Sequence, residues 1–292
     1  MRQANGLSRY RSYDRPPEGF DPLTAPDELL LRHGLPRRPD PNREPELARI
    51  WERTFARPLR YTKADLAIDP WLTGRNPLQN KDSEFDRNNW AGAIVRASGP
   101  FSWVFAEWVI PNVQEKGFFD DDVHIGFWVG IDGFTIGDDQ VLQAGVSVRM
   151  YTQWLSWSWH FWPHVVVEWR AWTEWWVKGV ESDAVAAVNV PNFPVKPGDT
   201  VSFLVCAPQP DSPAWVNIVN ATPGHGQHTS VGISTPEDAN GVPVTLQGDS
   251  VEWIVEVVEP ALPNFPNSTR SLSTTAGPES QTGSLILGMS SK

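Results

Sequence analysis

Cysteine is almost absent from this sequence, since Cys206 is the single one among 292 residues. No intrachain disulfide can form, so the fold must be held by packing and hydrogen bonding. The first ten residues contain no apolar run of signal-peptide length, and no later segment approaches a membrane span. We therefore expect no recognisable export signal and no contact with a membrane.

Several signatures of hydrolases are also missing. The sequence has no Gly-x-Ser-x-Gly elbow, no His-Glu-x-x-His, no Asp-Thr/Ser-Gly and no glycine-rich phosphate loop. Two histidine pairs, His225/His228 and His160/His164, have spacings that would let two imidazoles share a metal. Neither pair has a third ligand at short spacing, so we expect neither a metal nor a cofactor.

Charge is unevenly distributed along the chain. Residues 1–64 carry thirteen basic and nine acidic side chains, whereas residues 65–292 carry eleven basic and twenty-six acidic ones. Such an acidic body repels phosphate, which argues against a nucleic-acid partner. A basic leader, residues 1–87, should be attracted to that body. We expect it to dock there, either as a removable pro-segment or as a permanent extension.

Twenty-seven prolines, twenty-two glycines and sixteen tryptophans punctuate the chain, and no long helical period follows residue 60. Short alternating segments between turn signals predict an all-β sandwich or barrel of antiparallel sheet over residues 88–260. Helices are predicted in the leader, over residues 25–34 and 44–54. Residues 261–292, rich in Pro, Ser, Thr and Gly, are predicted to be a disordered tail.

Eight of the tryptophans lie between residues 154 and 176. The alternation there predicts two strands, over residues 153–161 and 164–172, and places the Leu155 face of the first one in the core. On the second, Trp172 and Glu174 share a face that resembles a partly wet groove wall. Aromatic walls hold sugars and extended peptides alike, so this cluster does not separate the two ligand classes.

The segment from residue 250 to residue 259 reads as a strand with one apolar face, formed by Val251, Trp253, Val255 and Val257. Glu256 lies on the opposite face, together with Glu252. Taken alone, Glu256 is either a solvated surface acid or a positioned base. Gln143 lies between apolar neighbours and needs partners at both ends of its amide, which is compatible with a structural or a functional role.

Six motifs, in this order along the chain, resemble those of the glutamic peptidases (eqolisins). They are Asn89-Trp90-Ala91-Gly92-Ala93, Trp128-Val129-Gly130-Ile131-Asp132-Gly133, Leu142-Gln143-x-Gly145, Trp172-x-Glu174-Trp175, Lys196-Pro197-Gly198-Asp199 and Glu252-Trp253-Ile254-Val255-Glu256. The resemblance covers roughly residues 88–258. It implies a concanavalin-A-like sandwich of two antiparallel sheets whose concave face binds an extended peptide.

The resemblance also implies which residues form the site. The family's catalytic glutamine and glutamate match Gln143 and Glu256, and the substrate-binding or supporting positions match Trp128, Asp132, Glu174 and Trp172. Two neighbouring carboxylates rarely both ionise, so we expect Asp132 and Glu174 to share a proton and brace the groove.

The implied catalytic residues, Gln143 and Glu256, have side chains suited to peptide hydrolysis. A glutamate with a pKa near ~4.3 can act as general base toward water in mildly acidic solution. The amide of Gln143 can donate to the oxyanion of a tetrahedral intermediate. The sequence therefore predicts a monomeric, acid-active endopeptidase with polypeptide substrates, made as a zymogen.

Two other functions remain open on the same sandwich. One is a glycoside hydrolase with Glu174 and Glu256 as its paired carboxylates and the tryptophans as a sugar platform. The other is a carbohydrate- or peptide-binding module in which Gln143 and Glu256 are structural. The compartment is open as well, because the family resemblance implies secretion whereas the missing export signal favours the cytoplasm.

Overall fold

The computed structural model describes residues 5–58, 60–72, 90–96, 100–113, 123–134, 138–157, 160–180, 186–208, 213–258 and 286–291. In the leader it contains a 3-10 helix (Asn5–Arg9), two α-helices and three short strands. The helices are α1 (Asp27–Arg32) and α2 (Pro45–Phe55), and the strands are β1 (Tyr10–Ser12), β2 (Arg60–Tyr61) and β3 (Ala67–Ile68).

Both leader helices lie where the sequence predicts them. Helix α1 is followed by Gly34, whose φ of +70° is a conformation that glycine adopts without strain after a helix. Helix α2 begins with Pro45, which suits the first turn because its missing N–H would have had no partner there. None of the helices among the described residues has the length and apolar character needed to cross a membrane.

The remaining strands follow in chain order. They are β4 (Trp90–Arg96), β5 (Phe101–Val109), β6 (Val123–Ile131), β7 (Gln140–Trp157), β8 (His160–Val177), β9 (Val188–Asn189), β10 (Thr200–Cys206), β11 (Ala214–Asn220), β12 (Gln227–Ile233), β13 (Ser250–Val258) and β14 (Ile286–Ser291).

The strands form two sheets, each of seven strands within the described residues. Sheet A has the order β1-β12-β11-β10-β5-β14, with β2 pairing parallel to β12. Sheet B has the order β3-β9-β8-β7-β6-β13-β4 and is antiparallel throughout. An all-β sandwich of two antiparallel sheets, apart from the short β2 edge, is thereby confirmed.

The main hydrophobic core lies between the two sheets. Alternate side chains of sheet A, such as Phe203 and Ile218, meet alternate side chains of sheet B, such as Val146 and Val251. The Trp253 indole crosses the interface and donates to the Phe105 carbonyl at 2.9 Å. Every second residue of sheet B therefore points away from this core, toward the outer face that the eqolisin resemblance describes as concave.

The leader packs against both sheets. Ile50 of α2 lies on the outer face of sheet A with Trp103, Phe105 and Leu204. The chain then passes the edge of the sandwich, where β2 joins sheet A and β3 joins sheet B. Charge supports the docking, since Glu107 of β5 pairs with Arg57 at 2.8 Å and with Arg53 at 3.9 Å.

The tryptophan-rich segment differs from its predicted form. Residues 140–157 form one continuous strand, β7, paired with β8 as far as Trp157 and His160. Within the described residues, β6 pairs with β7 only as far as Met150, so no described strand lies beside the outer part of this hairpin on that side. The prediction that the Leu155 face lies in the core is wrong at Leu155, which is 40 % exposed. Trp154, on the opposite face, is 65 % exposed.

Two smaller predictions also differ. Val255 is exposed, although Val251 and Trp253 of the same predicted face are buried. In the C-terminal tail, residues 286–291 form strand β14 on the edge of sheet A, so the prediction of disorder is wrong there. Residues 261–285 lie outside the described residues.

Candidate active site

The outer face of sheet B, the concave face of the sequence prediction, is ordered in rows set by its strand registers. The first row runs Glu174, Gln143, Gly130, Glu252 across β8, β7, β6 and β13. The second row runs Trp172, Gly145, Trp128, Ile254, and the third runs Arg170, Ser147, Gly126, Glu256. All the predicted site residues except Asp132 therefore share this face, but they lie in three different rows.

Gln143 and Glu252 lie in one row, with Gly130 between them. Two strand spacings separate their backbones by roughly 10 Å, which two facing side chains can bridge through one water or one carbonyl group. A larger residue in place of Gly130 would crowd this gap, because a Cβ there would approach Trp128 Cζ3 to 3.1 Å and Gln143 Cβ to 3.3 Å. Of the two β13 glutamates on this face, Glu252 is thus the nearer to Gln143 along the sheet.

Both side chains of this row are buried and held in place. Gln143 Nε2 donates to Glu174 Oε2 at 2.7 Å, and Ser250 Oγ donates to Glu252 Oε1 at 2.7 Å. Gln143 Oε1 is buried and has no hydrogen-bond partner among the described residues. A buried acceptor of this kind indicates a place for a ligand or water.

Glu256, the predicted base, lies two rows away from Gln143. The offset is four residues along the strand, or roughly 13 Å, in addition to two strand spacings. Its carboxylate accepts a hydrogen bond from Trp128 Nε1 at 3.0 Å. The Trp128 ring extends from Gly126 toward Gly130, so it lies between Glu256 and the Gln143 row. Among the predicted site residues, Trp128 therefore supports Glu256, through the hydrogen bond to its carboxylate.

Asp132 is placed at the end of β6 and supports the site from below. Its carboxylate accepts backbone N–H groups of Gln247, Gly248 and Asp249 at 2.7, 2.6 and 3.2 Å. These bonds fix the turn that leads into β13, and with it the position of Glu252. Asp132 itself has a φ of +64°, a strained conformation for a residue with a side chain.

Burial raises the pKa of Asp132 to about 7, opposed by the backbone N–H groups of Gln247 and Gly248. The charges of Asp138 and Asp249 raise that pKa further. Glu174 is not among the groups that shift it, so the carboxylates coupled to Asp132 are Asp138 and Asp249. The expected sharing of a proton between Asp132 and Glu174 has no support in these contacts.

The leader covers the middle of the outer face. Leu72 packs in one cluster with Trp128, Trp172 and Ile254, the side chains of the second row, and Trp90 borders them. Gln143 and Glu252 are 0 % exposed and Glu256 is 3 % exposed. The row that holds Gln143 is thus almost fully buried in the leader-docked chain.

The predicted histidine pairs form no metal centre among the described residues. No group of three or more His, Cys, Asp or Glu side chains there is arranged to hold a metal ion. His228 is buried beneath the leader, with its Nε2 3.3 Å from Asn217 Oδ1. The side chain of His160 lies outside the described residues.

The sequence model of the Peptidase A4 family matches residues 88–283. The chain belongs to the Peptidase A4 family. No curated protein matches the chain. Among solved structures, a crystal structure of scytalido-glutamic peptidase with a peptide-based transition-state analogue is similar at 23 % identity and a TM-score of 0.37. That similarity covers 57 % of this chain and 64 % of the other, so the chain spans less than two thirds of the length of that structure.

The A4 match contains every residue of the first row, and it begins after the leader. Sequence reasoning placed Gln143, Glu174 and Trp172 on the outer face and did not single out Glu252 and Ser250, which lie in or beside the Gln143 row. The signal for them was present, because Glu252 and Glu256 alternate on the same face of one strand. Only the register against β6 and β7 distinguishes the two carboxylates.

Proposed function

We propose that this Peptidase A4 member is an acid-active endopeptidase in which Glu252 is the general base and Gln143 stabilises the oxyanion. The observation that carries the proposal is the row Gln143–Gly130–Glu252, with two polar side chains facing each other across a glycine. The sequence prediction gives the role of the base to Glu256. The Trp128 ring between Glu256 and Gln143 favours Glu252 instead.

The proposed reaction uses one water molecule and no covalent intermediate. Glu252 takes a proton from a water that also donates to Gln143 Oε1, and the water oxygen forms a bond with the peptide carbonyl carbon. Gln143 Nε2 keeps one N–H for the developing oxyanion, because the other is donated to Glu174. As the C–N bond breaks, the protonated Glu252 transfers its proton to the leaving amine.

Acid activity follows from the type of base. A glutamate with a pKa near ~4.3 is ionised in mildly acidic solution, where a histidine base would be protonated. Once protonated by the water, the same carboxyl is a strong enough acid to protonate the amine. We therefore expect cleavage to be fastest between roughly pH 3 and 5.

Three variants test the assignment in a cleavage assay with a denatured protein substrate at pH 4. Glu252→Gln is expected to lower kcat by about 10²–10⁴-fold, as the loss of a general base does. Gln143→Ala is expected to lower it by about 10²–10³-fold, the usual effect of losing an oxyanion donor. Glu46→Gln, an exposed leader residue, is the matched control.

Glu256→Gln separates the two assignments. If Glu252 is the base, Glu256→Gln retains most of the activity, since its amide can still accept from Trp128. Loss of activity in Glu256→Gln together with normal activity in Glu252→Gln would overturn our assignment and favour the sequence prediction. Activity that survives Glu252→Gln, Gln143→Ala and Glu256→Gln alike would remove the peptidase mechanism itself.

The packing of Leu72 on the second row supports a second part of the proposal, that residues 1–87 form a pro-segment. With Leu72 packed on the second row, a substrate can enter only after the leader is displaced or cleaved. Incubating the purified chain at pH 4 and following its mass should show loss of the leader as activity appears. An intact chain with full activity would contradict this part.

The glycoside hydrolase alternative receives no support from the registers. Glu174 and Glu256 are separated by three strand spacings and four residues, or roughly 20 Å between backbones. Paired glycosidase carboxylates lie about 5–9.5 Å apart. The binding-module alternative predicts that peptides bind tightly but are not cleaved. The same cleavage assay tests it, because the assay detects product.

A further inference from the structure

A leader side chain, Trp71, is stacked against the cationic part of the outer face of sheet B. Arg170 Cζ lies 3.3 Å from the centre of its ring, and Arg149 Cζ lies 5.2 Å from it. The ring of His124 meets Trp71 edge-on, with 5.6 Å between ring centroids. The indole is therefore contacted by side chains of β6, β7 and β8 together.

These side chains form a site that the sheet holds in place, which we call the aromatic clamp (Arg149, Arg170, His124 and Glu168). Glu168 lies directly opposite Arg149 on the neighbouring strand. Glu168 Oε2 is 3.9 Å from Arg149 Nη1 and 3.9 Å from Arg170 Nη2. One carboxylate is thus within ion-pair distance of both guanidinium groups. Arg149 Cζ also lies 4.3 Å from the centre of the Tyr151 ring, so Arg170 makes the closer cation–π contact with Trp71.

The leader reaches the clamp through a short edge strand followed by a tight turn, in which Leu72 N donates to the Asp69 carbonyl at 3.3 Å. Strand β3 pairs with β9 at the edge of sheet B, and Asp69 N donates to the Ala187 carbonyl at 2.8 Å. The next residues turn onto the outer face, where Asp69 Oδ1 accepts from Trp71 N at 2.9 Å. Trp71 then lies on the clamp, and Leu72 lies on the second row beside Trp128 and Trp172.

A buried serine beside the clamp provides an independent indication of a ligand site. Ser147, in the same row as Arg170 and next to Gly126, is 2 % exposed. Its hydroxyl oxygen is buried and has no hydrogen-bond partner among the described residues. A native fold rarely leaves such a group unsatisfied, so the Ser147 hydroxyl is suited to hydrogen-bond a polar group of a peptide that replaces the leader.

We propose that the aromatic clamp is a specificity subsite, which takes the tryptophan or another aromatic side chain of a polypeptide substrate once the leader is displaced. The inference rests on the proposed peptidase function, because the clamp lies on the same face as Gln143 and Glu252, two to three rows away. Leu72 marks the adjacent position, which takes an aliphatic side chain. In the docked chain these two positions are held by Trp71 and Leu72 of the leader.

A binding experiment tests the clamp without relying on cleavage. In the full-length chain, Trp71→Ala empties the clamp, and N-acetyl-tryptophanamide and its non-aromatic counterpart N-acetyl-cyclohexylalaninamide are the probes. Saturation-transfer NMR should show binding of the tryptophan probe to Trp71→Ala and none to the unmodified chain. The cyclohexyl probe should bind at least about threefold more weakly, because it lacks the ring quadrupole that attracts a cation.

The arginines are tested in the same background. Adding Arg170→Ala to Trp71→Ala should weaken the tryptophan probe by about 3–30-fold, the range for one stacked cation. Arg43→Ala, which removes an exposed arginine of the leader, is the matched control and should leave binding unchanged. Equal binding of both probes, or binding that survives Arg170→Ala, would overturn the proposal. Binding of N-acetyl-glutamate amide in place of the tryptophan probe would show an anion site and overturn it too.

Two further measurements do not need Trp71→Ala to fold. In the otherwise unmodified chain, Arg170→Ala should increase hydrogen exchange of the amides of residues 69–72, whereas Arg43→Ala should not. In cleavage of a peptide series, Arg170→Ala should lower kcat/KM for aromatic-containing peptides by about 3–30-fold relative to alanine-substituted ones. If no peptide is cleaved but the probes bind as expected, the peptidase function is wrong and the clamp proposal stands. If Arg170→Ala changes neither the hydrogen exchange of residues 69–72 nor the selectivity for aromatic peptides, the clamp proposal alone is overturned.

Discussion

Gln143 and Glu252 face each other across Gly130 in a single row of sheet B. Each has a fixed hydrogen-bond partner: Glu174 on the neighbouring strand β8 accepts from the Gln143 amide, and Ser250, two residues earlier on β13, donates to Glu252. The hydrogen bonds therefore hold two functional groups toward a gap that only a glycine leaves open. This arrangement explains why an amide and a carboxylate are buried on the outer face of a sheet, where neither is needed for the core.

The gap over Gly130 is directly testable. In Gly130→Ala the new methyl group lies 3.1 Å from Trp128 Cζ3 and 3.3 Å from Gln143 Cβ. We expect cleavage to fall by about 10–100-fold while the fold persists, because a displacement near 1 Å at a reacting group can cost that much. Circular dichroism and kcat measured on the same preparation check this. Gly126→Ala, which meets only the Trp128 ring, is the comparison and should have the smaller effect.

Leu72 covers the second row, so shortening it should open the site. Leu72→Ala is expected to destabilise the chain by about 2–5 kcal/mol, as for other buried leucines. It should also raise the initial rate of peptide cleavage by the full-length chain. Leu35→Ala removes an equally buried leucine from the leader's own cluster and should cost similar stability without raising that rate. Equal rates in the two variants would show that Leu72 does not block entry.

The ion pairs of Glu107 hold helix α2 on sheet A. Glu107→Gln removes the charge that pairs with Arg57 and Arg53, and the loss of such charge-assisted bonds costs about 1–3 kcal/mol. We expect faster limited proteolysis of the leader in this variant. Asp40→Asn, which breaks an exposed pair with Arg43 inside the leader, should leave the proteolysis rate unchanged. If the leader is equally resistant to proteolysis in both variants, the ion pairs of Glu107 do not contribute to docking, and apolar packing alone holds the leader.

His228 should make the leader-docked chain less stable in acid. Burial lowers the pKa of His228 to about 3 from its usual 6.5, so the unfolded state binds the proton more readily than the folded state between these values. Its contribution is complete above pH 6.5 and is lost as the pH falls toward 3. The rings of Phe55 and Tyr61 pack on it from the leader, and Asn217 and Ser230 contact it from sheet A.

Replacing this histidine should therefore reduce the loss of stability in acid. His228→Gln is expected to narrow the difference in unfolding free energy between pH 7 and pH 4, measured by urea titration at both values. His225→Gln, an exposed histidine three residues earlier, is the matched control. A pH dependence that is the same in both variants would contradict the assignment to His228.

The strand alternation between residues 90 and 258 was sufficient to predict an antiparallel sandwich or barrel, because period-two burial depends on neighbours along the chain. The resemblance to the glutamic peptidases, not the alternation, indicated the sandwich and the site motifs. Helix α2 was predictable from its local apolar pattern. The outer hairpin of β7 and β8 was not, since whether Leu155 is covered depends on how far β6 extends beside it. The edge strand β14 depends in the same way on a free edge at β5, far away in sequence.

The choice between Glu252 and Glu256 shows where the sequence stops being informative. Both carboxylates lie on one face of β13, so the period of the strand treats them alike. The register against β6 places Gly130 beside Glu252 and Gly126 beside Glu256, and the register against β7 then brings Gln143 to the first of these glycines. Local alternation fixes which face a side chain occupies, but pairing between distant strands decides which residue it meets.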